Sequence, residues 1–241
     1  MQQLNIRYGV FENEWEEYPG YIQDLVCASE AKKICDIGGG ANPLLDIEFV
    51  VSRELEYTVL DISKEELDKA DRRYNKLCKD IQEEPFLSKE KYDLVISRMV
   101  AEHVRSGHTF HKNVFSILNS GGLAVHFFPT LWALPFLVNK LLPDDFSSVL
   151  LNLFAPRNRI QNAKFPAYYD LCFGPTSKML KEFSALDYEV VEFCGYFGNN
   201  YWRRVPILNS AHQAFSRFLF RFPNPHLTSY SRVTLRKPFS S

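Results

Sequence analysis

The stretch "CDIGGGANP", Cys35 to Pro43, sets three consecutive glycines directly behind the apolar run "KKICDI". Glycine crowded where a strand ends and a helix is about to begin means that bare backbone must approach something closely there. The run before it reads as a short strand closed by glycine, and "NPLLDIEFVVSREL" behind it reads as a helix with Pro43 in its first turn. This strand, glycine turn and helix constrain the chain more than any other feature. They call for a parallel sheet with its ligand at the carboxyl ends of the strands.

The rest of the first half repeats the pattern. "YPGYIQDLVCASEA" reads as a helix carrying Ile22, Leu25 and Val26 on one face, and "EYTVLDIS" as a strand over Tyr57–Ile62. "SKEELDKADRRYNKLC" opens with Ser63 three residues before Glu66, a capping box, and so reads as a helix. "CKDIQEEPF" is expected to be a short strand or extended loop. "YDLVISRM" is nearly all apolar, as a strand buried on both faces should be, and "LAVHFFPT" is the next strand, after a helix over "HKNVFSILNSGG". Closing strands are expected at Tyr188–Phe197 and Tyr230–Pro238. Between them a helix places Ala211, Ala214, Phe215, Phe218, Leu219 and Phe222 on one stripe, with Arg217 and Arg221 elsewhere. That helix suits either packing on the sheet or lying on anionic lipid. The fold class is therefore α/β: a doubly wound, mostly parallel, seven-stranded sheet in one domain over residues 1–241. Residues 1–30 would form an N-terminal cap segment, 31–129 the cofactor-binding half, 130–187 a helical and aromatic lid insertion, and 188–241 the closing strands and helix.

Composition excludes several classes. With 241 residues, 46% of them apolar, the chain can bury a sizeable core, and a net charge of -1 argues against binding nucleic acid by bulk electrostatics. The five cysteines are scattered with no C-x-x-C pair, which predicts reduced thiols in a cytoplasmic protein and no zinc site. The N-terminus lacks the apolar core of a signal peptide. The longest apolar stretch, around "LAVHFFPTLWALPFLVNKLL", is broken by Pro129 and Pro135 and holds His126. At most a peripheral membrane contact is expected.

Two readings of the glycines compete. A dinucleotide fingerprint would need glycine where Pro43 stands, and Asp36 would repel a pyrophosphate, which weakens a nicotinamide-dependent oxidoreductase. The pattern of Asp36, Gly38 and Gly40 instead resembles the first motif of the Rossmann-like, class I S-adenosylmethionine-dependent methyltransferases. The resemblance continues through Asp61 at the end of "TVLDIS", Asp80 in "CKDIQ", "YDLVISRMVAEHV" and "LNSGGLAVHFFP", spanning roughly residues 30–130. It implies that S-adenosylmethionine is the cofactor, with Asp61 accepting both ribose hydroxyls and Asp80 beside the adenine amine. Gly39, Asn42, Ile62, Ile81, Ser97 and Arg98 complete the implied cofactor set. The chemistry agrees: adjacent hydroxyls can give paired charge-assisted bonds to one carboxylate, and Asp36 offers a counter-charge to the cationic methionyl part.

Since the methyl donor is already activated, alignment carries much of the rate, and a hydroxyl acceptor adds a need for a base. His103 in "RMVAEHV" is the candidate base, whereas His126 reads as a core residue. Arg98 either meets an acidic substrate group or pairs with Glu102 four residues on. No acid pair suggests a metal. The acceptor site is expected in residues 130–205, where Trp132, Tyr168, Tyr169, Tyr196, Tyr201 and Trp202 mix with Arg157, Arg159, Arg203 and Arg204. The strings "HFFPTLWALPFL" and "KFPAYYDLCFGPT" are also similar to methyltransferases of surface-polysaccharide and secondary-metabolite settings. This implies a small-molecule, glycan or lipid-linked sugar acceptor, methylated on oxygen. The competing non-enzymatic reading is a methyltransferase-like binding or scaffold protein.

Overall fold

The computed structural model describes residues 4–86, 88, 90–131, 166–200, 202 and 205–239. Eight strands form one sheet in the order β1(Asn5–Val10), β7(Glu189–Phe197), β8(Tyr230–Arg236), β6(Leu118–Pro129), β5(Tyr92–Arg98), β2(Lys33–Ile37), β3(Glu56–Asp61), β4(Asn75–Cys78). Only β8 runs antiparallel to its neighbours. The doubly wound, mostly parallel architecture is as expected, with eight strands rather than seven. The extra one is β1, an edge strand whose half-exposed residues carry little of the apolar signal that marks a buried strand.

Covered on both faces, the central strands are dry: Ile34, Leu94, Val95, Ile96 and Val125 are fully buried. Helix α1(Glu14–Ser29) lies on one face with Tyr18, Ile22 and Val26 turned inward at a spacing of four residues. The Tyr18 hydroxyl donates to the carbonyls of Ser97 (3.1 Å) and Val125 (3.2 Å), tying α1 across β5 and β6. On the other face α4(Gly107–Ile117) buries Phe110, Val114 and Ile117, and α5(Ser177–Ala185) buries Met179 and Phe183.

Local chemistry moved several boundaries. The helix behind the glycine loop is α2(Ile47–Ser52), capped by Asp46, whose carboxylate accepts from the Phe49 amide at 2.9 Å; Pro43 lies outside it. Ser63 does cap α3(Lys64–Lys69), but that helix ends early. "YNKLC", expected inside it, supplies strand β4, and "CKDIQEEPF" is turns: pairing with β3 outweighs a weak helical pattern. Helix α4 stops at Ile117 and passes directly into β6, where Asn119–Gly122 bulge away from the β5 register. The expected stripe on α6(Pro206–Arg221) is not a core face, because only Ser216 and Leu219 of that helix are buried.

Residues 132–165, most of the expected lid, and Tyr201, Arg203 and Arg204 lie outside the described residues. Among the described residues no helix is long and apolar enough to cross a membrane. The chain runs from β2 to β3 and β4 on one side, then returns to place β5 on the other side of β2. The switch point therefore lies between the carboxyl ends of β2 and β5, at Ile37 and Ser97, which is where such sheets open a crevice.

Replacing Tyr18 with Phe is expected to lower the unfolding free energy by about 1 kcal/mol in urea titrations, the net worth of a buried hydrogen bond.

Candidate active site

The crevice has two lobes. One, of about 410 Å³, is lined by Asp36, the glycine loop Gly38–Asn42, Arg98 and Trp15. The other, of about 690 Å³, is lined by Ile62, Asp80, Ile81, Met99, His103 and Tyr168 among others. Gly38 and Asp61 border both.

The glycine loop is held by its neighbours. The Gly38 amide donates to the Leu60 carbonyl at 2.7 Å, and Asn42 closes a turn onto the Gly39 carbonyl at 2.9 Å. Gly38 has a φ of 75°, and a Cβ there would stand 2.3 Å from Val100 Cγ2, so no side chain fits. Asp36, at 2% exposure, accepts through Oδ2 from the Leu44 amide and the Tyr57 hydroxyl, both at 2.7 Å. Burial pushes its carboxyl up to about 6 against the pull of these bonds and of Arg98. One oxygen of Asp36 thus fastens the loop, a task that its expected counter-charge role did not include.

Asp61 ends β3, where its Oδ1 accepts from the Ser63 amide at 2.8 Å while Oδ2 faces the Gly40 backbone. Burial raises its carboxyl above the ordinary value. Asp80 and Ile81 sit in the turn after β4, with Asp80 Oδ1 accepting from the Gln82 amide at 2.8 Å. This turn is pinned from outside. Asn113 of α4 donates to the carbonyls of Ile81 (2.7 Å) and Glu83 (3.0 Å), and Gln82 Oε1 accepts from the Arg105 amide. Neither Asn113 nor Gln82 is singled out by the sequence, because each acts on a segment more than 20 residues away.

Two sequence-predicted residues stand differently from expectation. Ser97 is fully buried and turns its hydroxyl to His126 Nδ1 at 2.8 Å, lining neither lobe. Arg98 does reach the first lobe, but its guanidinium lies 4.5 Å over the Trp15 ring and makes no ion pair with Glu102. The i, i+4 spacing is not helical there. Met99 takes a φ of 58°, and the chain then makes a tight 3₁₀ turn over Ala101–His103. A left-handed conformation in a non-glycine residue is strained and collects at functional sites. Here it aims β5's exit into the cleft and separates Arg98 from Glu102.

His103 lies in the second lobe. Its Nδ1 is 2.9 Å from the Pro166 carbonyl, which can only accept, so Nδ1 carries the proton and Nε2 the lone pair of the neutral ring. Nε2 stands 3.7 Å from Oε1 of Glu102. Glu102 is buried, its Oε2 has no hydrogen-bond partner among the described residues, and burial pushes its carboxyl up to about 8. Its carbonyl accepts from the Tyr168 and Tyr169 amides, which brings Tyr168 over the lobe. Among the described residues no cluster of His, Cys, Asp or Glu is suited to a metal ion.

A sequence family described as a methyltransferase domain matches residues 15–239, nearly the whole chain, including both lobes. The chain belongs to the methyltransferase domain family. No curated protein matches the sequence. Solved structures show the same fold at low identity. An S-adenosylmethionine-dependent methyltransferase from Clostridium acetobutylicum superposes with a TM-score of 0.56 at 11% identity, covering 93% of this chain and 92% of that one. The O-methyltransferase of a trans-AT PKS multienzyme from Brevibacillus brevis, in complex with S-adenosyl-L-homocysteine, gives 0.56 at 16% identity, covering 93% and 73%. The [4+2]-cyclase SpnF gives 0.56 at 14% identity, covering 97% and 87%. This methyltransferase domain shares the fold of those structures, and its family match speaks against the oxidoreductase reading. Its α2 begins nine residues beyond Gly38, so no helix N-terminus stands at the glycines to receive a pyrophosphate.

Glu102 sheds its proton in the unfolded chain near its ordinary 4.5 but holds it in the folded one up to about 8. Its contribution is thus fully present below about pH 4 and lost as pH rises through 8. Asp36 acts with the same sign up to about 6. Glu102→Gln is expected to flatten the fall in melting temperature between about pH 5 and 8, as followed by scanning calorimetry; a slope identical to the parent would contradict the buried acid.

Proposed function

We propose that this methyltransferase carries a methyl group from S-adenosylmethionine to a hydroxyl of a small molecule, a glycan or a lipid-linked sugar. The bound cofactor would supply a methyl group on a sulfonium, electrophilic without further activation. The residues present fit it. The first lobe sets Asp36, Asp61, Glu65 and Glu66 against one cation, Arg98, which suits a ligand bearing an ammonium and a sulfonium. Asp61 borders both lobes, which supports its holding the ribose hydroxyls. In the second lobe Ile62, Ile81, Met99 and Val100 offer apolar surface to an adenine, with Asp80 as acceptor for its amine. Ser97 does not belong to this set, and its backbone and hydroxyl serve the strand behind the cleft.

The observation that carries the choice of oxygen is His103. With Nδ1–H donated to the Pro166 carbonyl, Nε2 is the basic nitrogen of a ring that lines the cleft, and it would take the proton of an attacking hydroxyl. The half-exposed Tyr168 ring beside it offers a face on which a sugar can stack. That none of the five cysteines is in a disulfide supports a reducing, cytoplasmic setting. SpnF, a cyclase of the same fold, is the reason to test turnover and not only binding.

Calorimetry with S-adenosyl-L-homocysteine is expected to show binding that Asp61→Ala weakens by about 1.5–3 kcal/mol, the cost of a charged hydrogen bond. No binding by the folded parent ends the cofactor reading. His103→Ala is expected to keep that binding while slowing methylation of hydroxyl acceptors, screened as glycosides and lipid-linked sugars, by about 10²–10⁴-fold. Undiminished turnover would remove His103 as the base.

A further inference from the structure

Helix α6 is amphipathic, yet among the described residues its apolar side stays largely exposed. Ile207 (84% exposed), Ala211, Phe218 (55%) and Phe222 (59%) follow at spacings of four, seven and four residues and form one stripe, with Leu208 and Phe215 beside it. At 100° per residue the two buried positions, Ser216 and Leu219, flank this stripe on one side, and Arg217 and Arg221 border it on the other. The helix thus rests on the domain along one edge and presents Phe and Ile to the outside with a cationic margin. A groove of about 320 Å³ opens beneath it, lined by Leu208, Phe215, Leu227 and Trp202.

Charge singles out what this face can meet. From Phe193 to Ser241 the chain contains no Asp or Glu but seven Lys and Arg, in a protein whose overall net charge is -1. Neither Arg217 nor Arg221 makes an ion pair among the described residues, whereas acids crowd the cofactor lobe. An apolar stripe edged by unpaired arginines is complementary to an anionic bilayer surface, where rings enter the acyl boundary and guanidinium groups stay among the headgroups.

The location agrees. Helix α6 leaves β7 at Phe197 and the chain re-enters the sheet at Tyr230, which is paired with Tyr196. Both ends of this connection therefore stand at the carboxyl edge of the parallel strands, the edge that carries the cleft. Four strand spacings separate β7 from β2, about 19 Å.

We infer that the exposed face of α6 is a docking surface for an anionic lipid bilayer, holding the carboxyl edge of the sheet and its cleft beside the membrane. The inference stands on α6 and its charge, independently of the methyl acceptor.

The test is flotation of the full chain with phosphatidylcholine vesicles, with and without phosphatidylglycerol, at low and high salt. Binding is expected only to the anionic vesicles and should fall with salt. The pair Arg217→Glu and Arg221→Glu, on exposed positions that leave the core untouched, should weaken it at least about tenfold. The triple change Phe215→Ser, Phe218→Ser and Phe222→Ser should abolish it, with S-adenosyl-L-homocysteine binding unaltered in both variants. Failure of the parent to bind anionic vesicles overturns the inference, as does binding indifferent to the arginines. Light scattering that shows a dimer dissolved by the Phe changes would assign the face to a second copy. A sharp drop in melting temperature in the triple variant would assign it to the chain itself. Either result also overturns the inference.

Discussion

One carboxylate oxygen organises the cleft. Oδ2 of Asp36 collects the Leu44 amide from the far end of the glycine loop and the Tyr57 hydroxyl from β3, both at 2.7 Å. Those bonds span β2, the loop and the adjoining strand, so the loop's course is set by a group fully out of water. An acid buried this deeply is costly unless its oxygens are bonded, and the bonds are stronger for lying in a low dielectric. The raised carboxyl, at about 6, records that burial outweighs its partners and leaves a site that favours a nearby cation. Gly38, with no room for a Cβ against Val100, then lets β5's exit close on the loop without displacing it.

The second lobe is assembled by packing from outside its own strands. Asn113, reaching from α4, holds the turn of Asp80 and Ile81 by two carbonyls, while Gln82 ties the same turn to the start of α4. Met99 and the 3₁₀ turn after it swing His103 into the cleft and leave Glu102 buried behind, where its backbone carbonyl receives the Tyr168 and Tyr169 amides. A strained residue at a strand's end thus costs local stability and is held by contacts on both sides. The position of His103, its tautomer and the aromatic ring beside it all depend on that one change of direction.

The legible parts of this chain were those where a local pattern has one structural meaning. "YDLVISRM" had to be a strand buried on both faces, Ser63 had to cap the helix behind it, and three glycines had to mark the close approach. Ranges blurred where two local patterns compete: "YNKLC" is weakly helical but pairs with β3, and Pro43, a good first-turn residue, lost that place to Asp46. Arg98 and Glu102 were expected to meet on a helix that the chain never forms there. Tyr57, Trp15, Asn113 and Gln82 could not be read as site residues at all, because each acts on a segment 20 or more residues away.

The sequence by itself determined the alternation of strand and helix, the glycine turn and the acids at the strand ends, since those depend on backbone sterics and on periodicity within a few residues. Only the tertiary structure decided which acid oxygens are spent internally, that Ser97 faces His126 and not the cleft, and that the Phe stripe of α6 points outward. A stripe of apolar residues states that a face should leave water, but what covers it depends on where the neighbouring strands set the helix down.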